Sequence, residues 1–351
     1  MDYRNAGIIL PHHLRCASHT LNLLATTDLQ NALKGSSVDR IHYPALAKCS
    51  TLWNASRRPK SSEVIQGILG YQLLYPCPTR WNSLYDSISQ LMKHKDRLNK
   101  LFEKLNLSNT FKEVEIEYLE EFIVMMKPIA TALDYLQGQK ACYYGQLLPT
   151  LMSLRIRLQH LMENNLRHTA GIVTALVKSL HDRFELFFSL SPLVNEAILA
   201  ACFHPSFKLR WLPDHISNCE RKRIQNLCIN SLESYISSIC DDTCDTTSGG
   251  EEDDFLVLSN TSEKKQQSHI DLEVISYFND KNKSLSSLQN YPNVKKMFIR
   301  FNTSLCSSSP VERLFSHAGF IHSPERGSLS DKLFEKLVFL KGNNSFIESN
   351  I

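Results

Sequence analysis

Ile116 to Leu133 reads IEYLEEFIVMMKPIATAL, and its apolar residues Ile116, Leu119, Ile123, Met126, Ala130 and Leu133 recur at spacings of three and four. That period places them on one stripe of a helix of several turns. The pattern repeats on both sides of this stretch. Leu84, Ile88, Leu91, Leu98, Phe102 and Leu105 form a stripe before it. Leu147, Leu151, Leu154, Leu158 and Leu161 follow, then Ile172, Leu176, Leu180, Phe184 and Phe187. Pro76-Cys77-Pro78, Gln137-Gly138 and Asn164-Asn165 punctuate the series. No comparably long stretch alternates with period two, so the sequence predicts a mainly α fold. The spacing drifts from helix to helix, which excludes a solenoid repeat.

Composition supports this reading. Apolar residues make up 42% of the 351 residues and charged residues 21%, enough to bury a core and exclude general disorder. No apolar run approaches the roughly 20 residues needed to span a bilayer, so no membrane partner is expected. The first residues, Met1-Asp2-Tyr3-Arg4-Asn5, lack a secretory pattern. Twelve glycines argue against a glycine-rich phosphate-binding fold, and GxSxG, HExxH, Walker and GxGxxG motifs are missing. Neither an enzymatic centre nor a small-molecule substrate is expected. The ten cysteines show no doubled CxxC spacing and are read as reduced, mostly core residues.

The formal charge of +3 hides a segregation. Ile224 to Glu263 holds nine acidic residues and no Lys or Arg, which leaves 39 basic against 27 acidic residues elsewhere. Such a basic body suits an anionic partner, although an ordinary solvated surface explains it equally well. Asp241 to Ser268, DDTCDTTSGGEEDDFLVLSNTSEKKQQS, reads as a flexible linker and the best domain boundary. Beyond it, Tyr291-Pro292 precedes a helix through Val294, Met297 and Phe301. Ser309 to Gly319 reads as a short helix ended by its glycine, and Leu329, Leu333, Leu337 and Leu340 line a last helix closed by Gly342.

Four motifs carry chemistry. Cys16 and His19 form a CxxH spacing that suits half a zinc site, but a packed structural pair outweighs it. Thr79-Arg80-Trp81-Asn82-Ser83 opens a helix with Thr79 as its cap. Arg80 and Trp81 at that exposed start suit phosphate contact and base stacking, against a composition-based preference for Trp81 as a core anchor. Ser309-Pro310-Val311-Glu312 has capping-box spacing with proline at the first helical position, which explains Glu312 structurally. The alternative makes Glu312 a metal ligand, but one carboxylate is not a two-metal site. His204-Pro205 reads as the end of a buried helix rather than a catalytic group.

In this order the stretches resemble the C-terminal two-thirds of an hAT-superfamily DNA transposase, of the kind found in zinc-finger BED-domain proteins. The matching pieces are Cys16-Ala-Ser-His19-Thr-Leu-Asn-Leu, Thr79-Arg-Trp81-Asn-Ser, Leu136-Gln-Gly138, Leu148-Pro149-Thr-Leu and Leu199-Ala-Ala-Cys-Phe-His204-Pro205. They continue with Tyr291-Pro292, Ser309-Pro-Val-Glu312-Arg313-Leu-Phe315-Ser316-His-Ala-Gly319 and Leu329-Ser330. The block from Glu312 to Gly319 is the specific one. The resemblance implies an RNase H-like, retroviral-integrase-like core interrupted by an all-helical insertion. It makes Glu312 the third catalytic acid and Trp81 the residue that stacks on a flipped base.

Only fifteen residues precede Cys16, with Asp2 the sole acid among them, so the family's first two aspartates have no counterpart in this sequence. If Met1 is the start, the expected molecule is a non-catalytic transposase relic, not an enzyme. The expected layout is a core remnant at 1–35, a helical domain at 36–240, the linker at 241–268 and a dimerisation region at 269–345. The expected function is self-association in the nucleus through Phe315, Leu329, Leu333, Leu337 and Leu340, with DNA as a second partner. No cofactor is expected: magnesium would need aspartates upstream, and zinc at Cys16 and His19 stays open. Two alternatives are an active transposase missing its N-terminal part and a helical protein–protein adaptor.

Overall fold

The computed structural model describes residues 16–77, 82–138, 142–241, 262–322 and 329–343, and every regular element among them is helical. The chain opens with α1 (Ala17–Leu23) and α2 (Leu29–Leu33), joined by a π turn, then α3 (Asp39–Ser56) and α4 (Pro59–Leu69). Next come α5 (Ser83–Met92), α6 (Lys95–Lys104), α7 (Glu113–Leu136), α8 (Leu147–Glu163) and α9 (Ala170–Arg183). The remainder is α10 (Glu185–Phe188), α11 (Asn195–Phe203), α12 (Asn218–Asp241), α13 (Ser262–Asn279), α14 (Pro292–Asn302), α15 (Ser309–Ile321) and α16 (Asp331–Gly342). No helix among the described residues is long and apolar enough to cross a membrane.

The mainly α expectation holds, with local corrections. The stripe from Leu84 to Leu105 is two helices, because Lys93 and His94 break the chain between Leu91 and Leu98. Phe184 leaves helical geometry and separates α9 from α10, so that stripe is also divided. An RNase H-like remnant is not shown: residues 17–25 are helical, and 1–15 lie outside the described residues. The acidic linker lies largely outside them too, and its last seven residues, 262–268, are the first turns of α13.

α7 is the central helix. It packs against α1, α3, α5 and α8, and Tyr118, Leu119, Phe122, Met125, Met126, Ile129 and Leu133 are buried around it. One stripe therefore undercounts its core face. Its first turn is fixed by Glu115, whose Oε2 accepts the Lys112 N–H at 2.7 Å. The same buried carboxylate takes the Lys48 ammonium from α3 at 2.5 Å. Nearby, His42 Nδ1 and Tyr118 Oη meet at 2.6 Å inside the core.

α11 is apolar on all sides, and its residues Ala197 to Phe203 are all buried. It lies between α8, α12, α14 and the 3₁₀ turn Tyr144–Gln146. Such a helix leaves its last carbonyls without water, so they need internal donors. Asn302, the buried last residue of α14, donates from Nδ2 to the Ala200 carbonyl at 3.0 Å. Its Oδ1 accepts the Gly145 N–H at 2.9 Å. Tyr277 of α13, fully buried, donates to the Cys202 carbonyl at 3.3 Å. A side chain at position 145 does not fit, since its Cβ would lie 2.3 Å from the Ala200 carbonyl oxygen. Through these contacts α13 and α14 join the same continuous core as α7 and α8.

His204 caps this arrangement as the sequence anticipated, buried at the end of α11. Its ring lies among Tyr143, Phe207 and Phe298 at centroid distances of 5.4, 4.7 and 5.6 Å. Nδ1 accepts the Ser206 N–H at 3.2 Å, which fixes a neutral ring. Burial pushes its pKa down to about 4.

Three expectations concern this layer. Asn302→Ala strands the Gly145 N–H and the Ala200 carbonyl, and denaturant titration should record a loss of about 3 kcal/mol. Gly145→Ala should cost at least as much. For His204, the folded pKa lies below that of the unfolded chain, so the unfolded state binds more protons between about pH 4 and 6.5. Stability should therefore fall as pH drops through that window. His204→Phe should flatten the fall, leaving a smaller slope from His42, whose pKa burial also lowers.

Candidate interaction site at the C-terminal hairpin

α15 starts one residue away from the expected register. Ser308, not Ser309, holds the cap position, and its Oγ donates to Glu312 Oε1 at 2.5 Å. Ser309 is the first helical residue, with its Oγ accepting from Arg313 Nη1 at 2.8 Å. Arg313 also reaches the Gln137 carbonyl at 3.4 Å, which ties α15 to the end of α7. The helix passes through Gly319 and ends at Ile321, because Gly319 does not take the left-handed conformation that would stop it.

α15 and α16 form an antiparallel hairpin. His322 and Phe334 rings meet at 5.6 Å near its turn, and a Cβ on Gly342 would lie 3.0 Å from Leu314 at its open end. Leu329 lies two residues before α16 and is not part of it. Of the five residues expected to mediate self-association, Phe315, Leu333 and Leu340 are exposed, while Leu329 and Leu337 are half-buried. Three aromatic side chains are more open still: Phe315 is 69% exposed, Phe339 68% and Phe320 80%. None of the residues of α16 is buried. An apolar face of this kind on a folded domain marks an interaction surface.

A cleft of about 1190 Å³ separates α15 from the start of α5. Its lining includes Tyr75, Asn82, Asp86, Glu312, Arg313 and Phe315. Arg80 and Trp81 lie outside the described residues, but both ends of their loop are described. Ser83 Oγ donates to the Cys77 carbonyl at 2.6 Å and accepts the Cys77 N–H at 3.0 Å, closing the loop at its base. Asn82 Nδ2 donates to the Ala130 carbonyl at 2.8 Å and to Asp134 Oδ1 at 2.7 Å, docking the loop on α7. Asn82 and Ser83 were read from the sequence only as part of the motif. Their pairing partners lie far away or across the loop, and spacing does not reveal them.

Among the described residues, no group of three or more His, Cys, Asp or Glu side chains is arranged to hold an ion. Asp86 shares the cleft with Glu312, but its carboxyl is pushed up by desolvation and then by repulsion from Asp134. Cys16 Sγ accepts the His19 N–H at 3.3 Å as the cap of α1, and also the Ser308 N–H at 3.3 Å, while His19 is exposed. With the Ala17 N–H donating to the Cys306 carbonyl at 3.0 Å, the CxxH segment clamps the lead-in to α15.

The whole hairpin, with α13 and α14, falls inside a family match. Residues 251–344 match the hAT family C-terminal dimerisation region. The C-terminal part of this chain is thus similar to an hAT dimerisation region. Over 362 aligned residues it is 21% identical to human zinc finger BED domain-containing protein 4, covering 94% of this chain. The chain spans 29% of that relative's length. Phe315, Phe320 and Phe339, among the most exposed apolar side chains described, thus lie inside the matched region.

The loop clamp yields a prediction. Ser83→Ala removes both bonds to Cys77, and at about 1 kcal/mol for a hydrogen bond the Cys77 amide should exchange several-fold faster. Amides within α8 should keep their rates, as hydrogen-exchange mass spectrometry can verify.

Proposed function

We propose that this chain is a non-catalytic, transposase-derived nuclear protein that self-associates through α15 and α16, with DNA as a second, weaker partner. The observation that carries it is the apolar face of the hairpin, unburied across all of α16 and lying within the matched dimerisation region. A two-fold contact places the same face on both copies, so Phe315, Leu333, Phe339 and Leu340 would cover their own counterparts. A stable dimer needs roughly 1,200–2,000 Å² of total buried surface, which a hairpin of two amphipathic helices can supply.

The non-catalytic part rests on Glu312. Its carboxylate is engaged by Ser308, and the donor set of the cleft does not fit a two-metal site. DNA contact would use Arg80 and Trp81, between Cys77, which Ser83 binds, and Asn82, which bonds α7. In this reading α1 belongs to the vestige of an RNase H-like core near residues 5–25. Its support is the clamp from Cys16 and Ala17 onto Ser308 and Cys306. Nuclear residence follows the BED-protein relative and the family. A second reading makes these residues one part of a longer metal-dependent transposase, and the greater length of the relative favours it. Magnesium-dependent nicking of DNA, lost in Glu312→Gln, would select that reading.

Sedimentation of the full chain tests the self-association directly. A dimer is expected at tens of micromolar, falling to monomer in Phe339→Glu/Leu340→Glu with helix content unchanged. Purely monomeric wild-type protein at that concentration would overturn the proposal.

A further inference from the structure

Two cysteines that the proposed function does not use meet at the root of the hairpin. Cys306 lies just ahead of α15, buried, and its Sγ donates to the Tyr143 carbonyl at 3.3 Å. Cys142 is the residue before Tyr143, half-buried, with its Sγ donating to the Leu136 carbonyl at 3.2 Å. Cys306 Sγ thus sits on the carbonyl of the residue next to Cys142, also 3.8 Å from the Tyr144 carbonyl, which places the two thiols at the same peptide, and both are free in this structure. Arg313 lies close enough to act on Cys142 electrostatically.

We propose that Cys142 and Cys306 are a peroxide-oxidisable thiol pair whose disulfide fastens the lead-in to α15 onto the turn after α7. The division of labour follows from access. Cys142 is the half-exposed member that meets the oxidant, and Cys306 is the buried member that resolves it. When Cys142 ionises, the Cys306 S–H turns from the Tyr143 carbonyl to the new thiolate. That hydrogen bond, with the Arg313 guanidinium behind it, brings the Cys142 thiol down to about 7. The partner moves the other way: its contact with Cys142 and its burial push the Cys306 thiol far up. A thiolate of this kind beside a resolving thiol is the arrangement that redox-sensing cysteines use.

The chemistry balances with one hydroperoxide. The Cys142 thiolate attacks a peroxide oxygen, the O–O bond breaks, and hydroxide or alkoxide leaves with the electron pair and takes up a proton. The resulting sulfenic acid is attacked by the Cys306 sulfur, which forms the S–S bond and expels water. Both sulfurs are oxidised by one electron each, and the peroxide is reduced by two. Before this event the hydrogen bonds of Cys306, Arg313 and the Cys16 clamp hold the root of the hairpin. Afterwards a covalent bond holds it.

Cys202 and Cys228 supply an internal comparison. They also touch, but both are buried in the core beneath α11 and α12, without the Arg313 charge. They should stay reduced in the folded chain.

The test treats the full wild-type chain with a modest molar excess of hydrogen peroxide. It is then blocked with iodoacetamide in denaturant and digested without reductant. Mass spectrometry should find one new peptide pair joining Cys142 to Cys306, a loss of two thiols per chain, and reversal by dithiothreitol. In Cys306→Ala, dimedone should label Cys142 as a trapped sulfenic acid. Unchanged alkylation of Cys142 after peroxide would overturn the proposal, as would its pairing with a second chain or a Cys16–Cys306 bond in its place. The wild-type digest decides the matter even if the variant fails to fold.

Discussion

The carboxamide of Asn302 holds together three segments that are remote in sequence. Its oxygen takes the Gly145 N–H and its nitrogen serves the Ala200 carbonyl, both inside the core. The backbone at 145 approaches α11 so closely that only glycine fits. Because Asn302 ends α14, the same contact sets where the chain goes next. Four residues later Cys306 lies against Tyr143, and Ser308 then caps α15 beneath Cys16. The place of the hairpin on the body therefore depends on one buried amide, and its clamps at Cys16 and Arg313 act on a chain already aimed by it. A buried polar group of this kind is costly unless fully paired. Here both ends of the amide are used.

Charged groups do comparable work between helices. Glu115 is buried yet pairs with Lys48 across α3 and α7, so removing either partner would leave a stranded charge. Asp28 and Arg183 form a two-point contact at 2.5 and 2.7 Å that fixes the end of α9 against the π turn before α2. Glu121 projects from α7 to the start of α9. Desolvation opposes its charge, but the N–H groups of His168, Arg167 and Thr169 outweigh it and hold its carboxyl below the usual range. A carboxylate from one helix thus serves as the N-terminal cap of another, where the helix dipole also favours negative charge.

Reading along the chain caught what has a period. The stripe from Leu147 to Leu161 is α8, with all five leucines buried, and Leu199 to Phe203 is the buried end of α11. It overran where polar residues fit the spacing without continuing the helix, as at His94 between α5 and α6. It saw one face of α7, because a helix with neighbours on several sides has no polar stripe to contrast with its apolar one. At the site, spacing located Glu312 and the hairpin leucines but misjudged the cap by one residue. It ended α15 at a glycine that the helix passes through. The pairings that position the cleft, Ser83 to Cys77 and Asn82 to α7, depend on folding back across the loop or onto a distant helix. The Cys142–Cys306 proximity is of the same type. No local pattern encodes two thiols brought together by Asn302 and Tyr143.

The energetics of α16 make the hairpin the part of the molecule that is incomplete alone. An isolated helix shorter than about 12–15 residues is marginal in water, and helices in proteins are stabilised chiefly by burying an apolar face. α16 has twelve residues, among them Leu333, Phe334, Leu337, Val338, Phe339 and Leu340, yet buries none of them. Each large apolar side chain left in water forgoes about 1.5–3 kcal/mol relative to full burial. α15 buries only Ser309 and Ala318 and leaves Phe315 and Phe320 exposed. The root of the hairpin is well secured, by Cys16, Ser308 and Arg313, while no described residue buries its outer face. A surface so firmly aimed and so thinly buried is built to be covered by something else.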